Sequence, residues 1–331
     1  MSYELRFLSP QTKAEDTFVF NTRLWTKADR LIMAPMHAIT NYVFRNAFDK
    51  TFPEAIDKAI TPFISLTHGN TTFNKRKFAD ILKENNNCNF EIIPQVLGND
   101  AKGIIDICNL SSNLGYNEVN WNIGCPQEKI MNKGRGAGLL KDSERIERVI
   151  DEVLNNIEIN FSIKVRLGYS SKEDIKRLIP IINQYPINNV VIHPRLGTDV
   201  YEKEVDLDSF EKAAKLINKR ITYNGDIFTV DDFNKIKLRF PNINDFMLGR
   251  GLLFNPCLAS QIKSIDYIDD RERLIYLHSE LIRNSHSLNK LKGCWSYFVV
   301  GLNWKEDKLK PLFSCQTVEE LDKFVRDNIY D

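Results

Sequence analysis

One cysteine stands where an apolar stretch meets a glycine-rich loop. In residues 118–123, before Cys125, apolar side chains alternate with polar ones, so an extended strand would carry amides on one face only. Gly124 and Pro126 end that strand, and three more glycines follow shortly after: Gly134, Gly136 and Gly138. Cys125 is then either a small residue of the core or a group that does chemistry beneath a loop able to close over a bound molecule.

A lysine is placed on the polar face of another predicted strand. In residues 161–167 the odd positions are apolar, so alternation directs Ser162, Lys164 and Arg166 to the opposite face. Burying an ammonium group is costly unless it meets an anion or a strong acceptor. Lys164 is therefore either a contact for an anionic ligand or one half of a structural ion pair.

Two glycine-containing turns follow apolar runs in the second half of the chain. They read Asn224-Gly225-Asp226 and Gly249-Arg250-Gly251. Such turns offer backbone N–H groups to an anion, and Arg250 adds a positive charge, so together they indicate a phosphate cradle. Either turn alone also fits an ordinary tight turn.

Short apolar runs and amphipathic stretches alternate along most of the chain. Eight runs are predicted as strands: Arg30–Ala34, Ala59–Phe63, Glu91–Leu97, Glu118–Ile123, Phe161–Leu167, Asn189–His193, Arg220–Asn224 and Asp245–Leu248. Helical patterns lie between most of them and include Asp100–Asn113, Ser143–Asn156, Ser171–Gln184, Asp208–Asn218 and Thr229–Arg239. Eightfold alternation predicts an α/β fold, a (β/α)8 TIM barrel, rather than an open sheet.

The alternation stops at about Ile265, and the pattern is helical from there to the end. We therefore predict a barrel domain over 1–264 and a small C-terminal helical domain over 265–331. A barrel carries its active site at the C-terminal ends of its strands. The residues at those ends are Ala34-Pro35-Met36, Pro94-Gln95-Val96, Asn122 and Cys125, His193-Pro194-Arg195, and the two glycine turns.

Composition limits the partners and the compartment. The 331 residues are 43% hydrophobic and 27% charged with a net charge of +1, so bulk charge neither indicates nor excludes a nucleic-acid partner. Met1–Pro10 lacks the apolar run of a signal peptide, and no stretch approaches the roughly 18 apolar residues of a membrane span. We predict a cytoplasmic protein without membrane contact. Its six cysteines show no zinc-like spacing, which predicts no metal.

Basic residues cluster in two regions that could face a polyanion. Lys133 and Arg135 lie in the loop after Cys125, and a second group lies near the C-terminus: Lys290, Lys292, Lys305 and Lys308. Each cluster also fits a solvated surface. Position relative to the predicted site decides between the two interpretations.

The motifs, in this order, resemble those of the tRNA-dihydrouridine synthases, flavin-dependent enzymes that reduce uridine in tRNA. The motifs that carry the resemblance are Ala34-Pro35-Met36, Thr40, Phe44-Arg45, Pro94-Gln95, Asn122-x-Gly124-Cys125-Pro126, Gly134-x-Gly136-Ala137-x-Leu139-Leu140, Lys164-Val165-Arg166, His193-x-Arg195, Asn224-Gly225-Asp226 and Gly249-Arg250-Gly251. They run through the whole barrel. The helical tail resembles, less specifically, the tRNA-binding domain of that family.

The resemblance implies a non-covalently bound FMN that NADPH reduces. It implies hydride transfer from the reduced flavin to C6 of a uridine in the tRNA D-loop, with Cys125 giving a proton to C5. The implied FMN contacts are Pro35, Met36, Gln95, Lys164, His193, Asn224, Gly225, Asp226, Gly249 and Arg250. Lys164, and His193 if protonated, would lie near the flavin N1 and C2 oxygen.

The resemblance also implies contacts with the substrate. Asn122 would pair with the uracil edge, and Arg195 would hold a uracil oxygen or a nearby phosphate. Lys133 and Arg135 would lie on the loop nearest the reacting base. The protein is expected to be a monomer.

Two positions depart from the family pattern. Asn41 stands where an Asp is usual after Thr40, and Pro194 replaces the usual Gly between His193 and Arg195. The first alters a cap or an ion pair, and the second stiffens the turn that presents Arg195. Both bear on substrate choice, and neither changes the reaction class.

Two other functions remain open at this point. One is an FMN-dependent barrel acting on a small molecule, of the dihydroorotate- or enoate-reducing type, which shares the phosphate cradle and sometimes a catalytic thiol. The other is an RNA-binding or RNA-folding protein in which catalysis is incidental. The loop motif after Cys125 and the lysine-bearing tail favour a tRNA-modifying enzyme over the first alternative.

Overall fold

A computed structural model describes residues 24–66, 75–265, 269–285 and 287–330. Its strands are β1 (Arg30–Met33), β2 (Lys58–Ile60), β3 (Ile64–Ser65), β4 (Glu91–Ile93), β5 (Gln95–Leu97), β6 (Glu118–Ile123), β7 (Asn160–Gly168), β8 (Asn189–Leu196), β9 (Arg220–Tyr223) and β10 (Asp245–Leu248). The segment Met1–Pro10, expected to lack a signal peptide, lies outside the described residues.

The ten strand segments form eight barrel strands. β4 and β5 are two halves of one predicted strand, separated at Pro94, which has no N–H to donate. β2 and β3 are likewise two halves of one strand, with β2 paired to β4 and β3 paired to β5. Every pairing is parallel, and β1 pairs with both β10 and β2, so the sheet closes on itself. The prediction of a (β/α)8 barrel is confirmed.

The helices surround the barrel and continue past it. They are α1 (Tyr42–Thr51), α2 (Lys75–Phe78), α3 (Ala101–Asn113), α4 (Glu128–Met131), α5 (Ser143–Leu154), α6 (Glu173–Gln184), α7 (Leu207–Leu216), α8 (Val230–Arg239), α9 (Arg250–Phe254), α10 (Leu258–Lys263), α11 (Asp270–Asn284), α12 (Leu288–Gly301), α13 (Glu306–Ser314) and α14 (Val318–Asn328). Among the described helices, none is both long and apolar enough to cross a membrane.

Side-chain caps fix where several barrel helices begin. The carboxylates of Asp100, Asp142 and Asp206 each accept a backbone N–H in the first turn of α3, α5 and α7. Thr229 does the same for α8, in a reciprocal capping box with Asp232. Asn41, at the position that departs from the family pattern, caps α1 by accepting from the N–H groups of Val43 and Phe44. The amide therefore keeps the cap that an aspartate would provide.

The barrel interior has an apolar layer beneath a polar one. The apolar layer is a small buried cluster separate from the main core: Ile32, Ala34, Ile60, Ile93, Val191 and Met247. Above it lie buried amides on β5 and β6, as the alternation of β6 predicts. Trp121 on the other face of β6 points outward, where its indole N–H donates to the Gly98 carbonyl at 3.0 Å.

The helical tail packs directly on the barrel. On α12, a Cβ added to Gly301 would lie 1.8 Å from the Phe254 carbonyl oxygen of α9, so only glycine permits this approach. Glu280 of α11 is buried and pairs with Lys50 of α1 at 3.0 Å. The tail is therefore held against two barrel helices. The division into domains at residue 265 stays a prediction.

Candidate active site

A cavity of about 300 Å³ opens at the C-terminal ends of the strands. Its wall contains Cys125 and all but one of the predicted cofactor contacts, namely Pro35, Met36, Lys164, His193, Asn224, Gly225, Asp226, Gly249 and Arg250. Six barrel strands thus bring residues far apart in sequence to one site. The exception among the predicted contacts is Gln95.

Cys125 lies in the cavity wall directly after β6. Its side chain is 9% exposed, and burial raises the pKa of the thiol despite the nearby Gln127 N–H and the cations Arg166 and Lys164. The thiol therefore stays protonated at neutral pH. That state suits a proton donor and disfavours a role as a nucleophilic thiolate.

The loop after Cys125, residues 126–142, which we call the thiol loop, is packed rather than open. Its second half is a buried 3-10 helix, Gly136–Lys141, and the Ala137 N–H donates to the Cys125 carbonyl at 3.0 Å. A Cβ on Gly136, whose φ is +52°, would lie 2.7 Å from that carbonyl oxygen. The glycines expected to let this loop close over a ligand instead allow it to pack tightly behind the thiol.

Buried amides beneath the cavity hold the turn that carries the thiol. Gln95 donates to the Asn120 side chain at 2.8 Å and accepts from the Asn122 amide at 2.9 Å. The Asn122 Oδ1 in turn accepts from the Gly124 N–H at 3.1 Å. Gln95 is fully buried behind Asn122, and this position explains why it does not line the cavity. Asn122 does line it.

Lys164 presents a cation to the cavity without a protein counter-ion. Its Nζ has no hydrogen-bond or ion-pair partner in the described part of the chain. Burial, reinforced by Arg166, lowers the pKa of Lys164 to about 7. The ion-pair interpretation of Lys164 is therefore not supported, and the geometry fits a contact for an anionic ligand.

His193 lies in the wall as a neutral imidazole. It is 7% exposed, and burial together with the cations Arg166, Lys164 and Arg195 holds the pKa of His193 well below its ordinary value. A positive charge on His193, which the sequence analysis allowed for, is therefore disfavoured. Of the cations near this part of the cavity, Arg166, Arg195 and Arg250 donate to protein acceptors. Lys164 is the cation that remains available to a ligand.

Arg195 lies outside the cavity lining, in a network of protein acceptors. Its Nε donates to the Lys203 carbonyl, and its two terminal nitrogens donate to the carboxylate of Asp226. Asp226 also accepts from Arg250 at 2.9 Å. The side chain of Arg195 is 3% exposed and does not line the cavity. Most of the Arg195 N–H groups are thus committed to protein partners, and its expected contact with a uracil oxygen or a phosphate stays a prediction.

A sequence profile described as "Dihydrouridine synthase (Dus)" matches residues 32–292. The chain belongs to the dihydrouridine synthase family. Dihydrouridine synthases are oxidoreductases, so the protein is assigned as an enzyme. The matched range includes the barrel, the thiol loop, both glycine turns and the first part of the tail.

Similar proteins carry the same family name. The tRNA-dihydrouridine(16) synthase of Neisseria meningitidis serogroup B is 28% identical over 244 residues, which are 72% of each chain. A probable tRNA-dihydrouridine synthase of Helicobacter pylori is 26% identical over 248 residues, covering 74% of this chain and 72% of that protein. Each match covers nearly three quarters of this chain.

Solved structures support the fold. Morphinone reductase in complex with tetrahydroNAD superimposes with a TM-score of 0.51 at 9% identity, covering 72% of this chain and 88% of its own. A variant of NCR from Zymomonas mobilis gives a TM-score of 0.52 at 10% identity with the same coverage. At such identities the likeness shows a shared barrel and carries nothing about substrate.

Two residues expected to contact substrate lie outside the cavity wall of this dihydrouridine synthase. Lys133 is exposed on the thiol loop, and its carbonyl accepts from the Asn99 side chain at 3.2 Å. Arg135 is 8% exposed, and its Nε has no partner among the described residues. Neither lines the cavity. Their role in binding tRNA stays a prediction.

The sequence analysis missed four Phe and Tyr residues of the cavity wall: Phe63, Tyr201, Phe228 and Tyr297. The Arg250 guanidinium lies over the rings of Tyr201 and Phe228, at 4.7 and 5.4 Å from their centroids. Tyr297 comes from α12, so the helical tail contributes directly to the active site of this dihydrouridine synthase. No local signal marks it, because only the packing of α12 on α9 brings it there.

Replacing Gly136 with alanine is expected to destabilise the protein and slow uridine reduction. The change forces a left-handed backbone on a residue with a Cβ, and that Cβ also clashes with Cys125. Gly115→Ala is a matched control, since Gly115 has φ +78° but nothing within 4 Å of its added Cβ. We expect about 1–2 kcal/mol of destabilisation for the control.

For Gly136→Ala we expect a larger loss of stability and up to about a hundredfold slower uridine reduction, because a displacement of about 1 Å can have that effect. Denaturant titrations and turnover assays measure the two effects. Equal behaviour of the two variants would show that the contact between Gly136 and Cys125 does not position the thiol.

Proposed function

We propose that this dihydrouridine synthase reduces the C5–C6 double bond of uridines in tRNA, with FMN in the cavity and NADPH as reductant. The observation that carries the proposal is that one cavity joins a protonated thiol, two glycine turns and a lysine without a partner in the described part of the chain. The relatives from N. meningitidis and H. pylori are named tRNA-dihydrouridine synthases. That name supports tRNA as the substrate.

The cavity residues fit an anionic flavin cofactor. Lys164 supplies a cation that lacks a partner among the described residues, and Arg250 stands beside the second glycine turn. A Cβ on Gly249 would lie 3.7 Å from Ala34 Cβ and 4.0 Å from Met36 Sδ, so glycine keeps that part of the wall open. A volume of about 300 Å³ is within the range of small-molecule sites.

Each wall residue then has a task that its environment supports. When bound, the flavin supplies hydride to C6 of the uracil. Cys125 gives its proton to C5, and burial keeps that proton on the sulfur at neutral pH. Lys164 offers its positive charge to the cofactor, and Asn122 holds the turn before Cys125. The pairing of Asn122 with the uracil edge is also part of this proposal.

The substrate must enter as a single base drawn out of the tRNA stack. A uridine within folded tRNA cannot reach a thiol in the wall of a barrel cavity unless its base is extruded. Tyr201, Phe228 and Tyr297 offer ring faces and edges at the cavity wall, and aromatic side chains commonly stack on unstacked bases. This arrangement favours a nucleic-acid substrate over a small pyrimidine acid.

Anaerobic reoxidation tests the substrate class. Flavin-loaded protein is reduced by NADPH without oxygen and mixed with unmodified tRNA transcript, with orotate, or with a simple enoate. We expect the flavin absorbance to return with tRNA alone, together with formation of dihydrouridine. Reoxidation by orotate or the enoate but not by tRNA would instead assign the small-molecule function.

Neutralising exposed lysines of the tail is expected to weaken tRNA binding. Lys292 donates to the Phe313 and Cys315 carbonyls, and Lys308 donates to the Asn328 carbonyl, so these two stabilise helix ends. Lys290 and Lys305 are exposed and remain for contact with phosphates. We expect the double change to Gln to lower affinity and to reduce the salt dependence by roughly one unit of slope per lost contact.

The matched control is the double change of Lys212 and Lys235 to Gln, two exposed lysines on the outer barrel helices α7 and α8. It removes the same net charge from a different face. Filter binding at several salt concentrations measures both variants, and flavin reduction by NADPH should be unchanged in both. Equal losses of tRNA affinity would show that general charge, rather than the tail, attracts tRNA.

A further inference from the structure

We propose that Arg195 is a positioning residue that fixes His193 as the neutral tautomer with its proton on Nδ1. The inference deepens the proposed function, on which it rests for what the cavity holds. The evidence for it is the set of contacts made by the Arg195 and His193 side chains. They lie two residues apart on β8, so strand alternation places them on the same face.

The direction of the hydrogen bond follows from what arginine can do. The Nη1 of Arg195 lies 3.2 Å from the His193 Nε2. A guanidinium carries only donors and stays protonated in proteins, so the facing nitrogen of the imidazole must accept. An imidazole that accepts at Nε2 and is neutral has its proton on Nδ1.

The opposite side of the ring meets an acceptor. The side-chain NH₂ of Asn224 donates to the Met247 carbonyl at 3.0 Å, which orients the amide oxygen of Asn224 away from that carbonyl. Asn224 also hydrogen bonds with the imidazole of His193. That hydrogen bond favours the protonated ring, as expected when the ring donates and the amide accepts, so the amide oxygen of Asn224 is the partner for the Nδ1 proton. Both ring nitrogens are then engaged within the protein.

The charges around the ring oppose a second proton. Lys164 and Arg166 on β7 and Arg195 on β8 are the cations that act on it, and the ring edge of Tyr201 lies nearby with 5.9 Å between centroids. No carboxylate among the described residues acts on the His193 ring to offset these positive charges. The nearby carboxylate of Asp226 is bound by Arg195 and Arg250. Burial adds to the same effect and holds the pKa of His193 well below its ordinary value.

Arg195 is itself held by a strained acceptor. Asp226 has φ +36°, in the left-handed region that non-glycine residues rarely adopt. Such a conformation persists only where the surroundings determine it, and here two arginines bind the carboxylate. Pro194, between His193 and Arg195, lacks backbone freedom in φ and further limits their relative orientation.

The consequence concerns which group can give a proton at the reaction centre. His193 directs its single N–H to Asn224 rather than to the cavity, so it offers the bound molecules neither a positive charge nor an acidic proton. His193 therefore does not compete with Cys125 as the proton donor. Arg195, which the sequence analysis placed on the substrate, acts through His193.

Nitrogen NMR of the intact, flavin-loaded protein tests the tautomer directly. The chain has five histidines, so selective ¹⁵N-histidine labelling gives a small set of signals, and His193→Gln identifies the signal of interest. The nitrogen shifts distinguish Nδ1–H, Nε2–H and imidazolium forms. We expect the Nδ1–H form throughout the range from about pH 6 to about pH 8, which spans the ordinary histidine pKa. An Nε2–H or imidazolium form of His193 at neutral pH overturns the proposal.

Arg195→Met tests the cause. Without the donor and the charge of Arg195, His193 should lose its single tautomer and begin to titrate toward its ordinary pKa. Arg145→Met is the control, because Arg145 donates to the Asn99 carbonyl at the far side of the thiol loop. An unchanged His193 spectrum in Arg195→Met contradicts the proposal. Should Arg195→Met fail to fold, the wild-type spectrum alone still decides between the tautomers.

The spectra do not depend on the substrate. A protein that shows the Nδ1–H form but is not reoxidised by tRNA would refute the proposed function and leave this inference standing. The reverse result would refute the inference alone. If both hold, uridine reduction by Arg195→Met should acquire a pH dependence near the ordinary histidine pKa that the wild type lacks.

Discussion

Cys125→Ala is expected to slow uridine reduction by about a hundredfold or more while flavin reduction by NADPH continues. Proton donation from a positioned side chain typically contributes about a hundredfold to ten-thousandfold. Cys125 is the thiol in the cavity wall, and burial keeps it in the protonated form that donation requires. Single-turnover measurements separate the two half-reactions, because NADPH bleaches the flavin and tRNA restores its colour.

Two further variants distinguish chemistry from packing. Cys125→Ser keeps the size of the side chain but replaces the thiol by a much weaker acid, so we expect it to resemble the alanine variant in rate. Cys88→Ala removes a half-buried thiol that does not line the cavity, and it should leave both half-reactions unchanged. Wild-type uridine reduction in Cys125→Ala, with fold and flavin content preserved, would assign Cys125 to the core.

The pH profile provides a second readout for the same residue. The pKa of Cys125 is raised by burial, so the thiol stays protonated above the pH at which an exposed cysteine would lose its proton. Uridine reduction should therefore persist through the ordinary thiol range near about pH 8.5 and decline only above it. A loss of activity centred on that ordinary value would place the reacting thiol in a more polar setting than the one described.

Much of the barrel could be predicted from the sequence because alternation is a local property. The predicted strands Glu118–Ile123 and Asp245–Leu248 agree with β6 and β10. The first alternates apolar and polar residues, the second is short and mostly apolar, and a glycine follows each of them. The two strands that the structure divides are those with proline near the break, at Pro62 and Pro94. Proline has no backbone N–H and therefore removes one hydrogen bond between neighbouring strands. The alternation of apolar and polar side chains does not reveal where that hydrogen bond is missing.

The location of a strand end could be predicted, but the partners of its side chains could not. Lys164 lines the cavity because the alternation of one strand determines its direction, and Cys125 lies in the wall because it directly follows the end of β6. Arg195 sits at an equivalent strand end, yet Asp226 and the Lys203 carbonyl occupy its donors. Those acceptors come from other segments, so competition between substrate and protein for a guanidinium appears only in the tertiary structure.

The contacts of the C-terminal helices with the barrel could not be predicted from the sequence either. Its lysines and its helical pattern predict a separate tRNA-binding unit. In the structure, α12 packs so closely on α9 that Tyr297 reaches the cavity, and Lys292 and Lys308 bind helix-end carbonyls. Whether a lysine on a helix is solvated or caps a neighbouring helix depends on packing, and the sequence pattern is the same in both cases.

Lys164→Met is expected to weaken flavin binding by roughly tenfold to a hundredfold. A hydrogen bond to a charged group contributes about 1.5–3 kcal/mol, and each 1.4 kcal/mol corresponds to a factor of ten in affinity. Lys164 lines the cavity and has no protein partner within the described residues, so its charge is available to the cofactor. Methionine keeps the length of the side chain and removes the charge. Fluorescence titration of flavin-free protein with FMN measures the change.

The pH dependence of binding identifies the lysine as the cause. In the free protein the pKa of Lys164 is lowered to about 7, so the ammonium form dominates below that pH and is lost above it. An anionic cofactor prefers the ammonium form, and wild-type affinity should therefore fall as the pH rises from about 7 toward the higher pKa of the bound state. Lys164→Met should show no such fall, whereas Lys129→Met, which removes an exposed charge from the thiol loop, should retain it. A wild-type affinity that does not change with pH, together with unaltered binding by Lys164→Met, would show that Lys164 does not contact the cofactor.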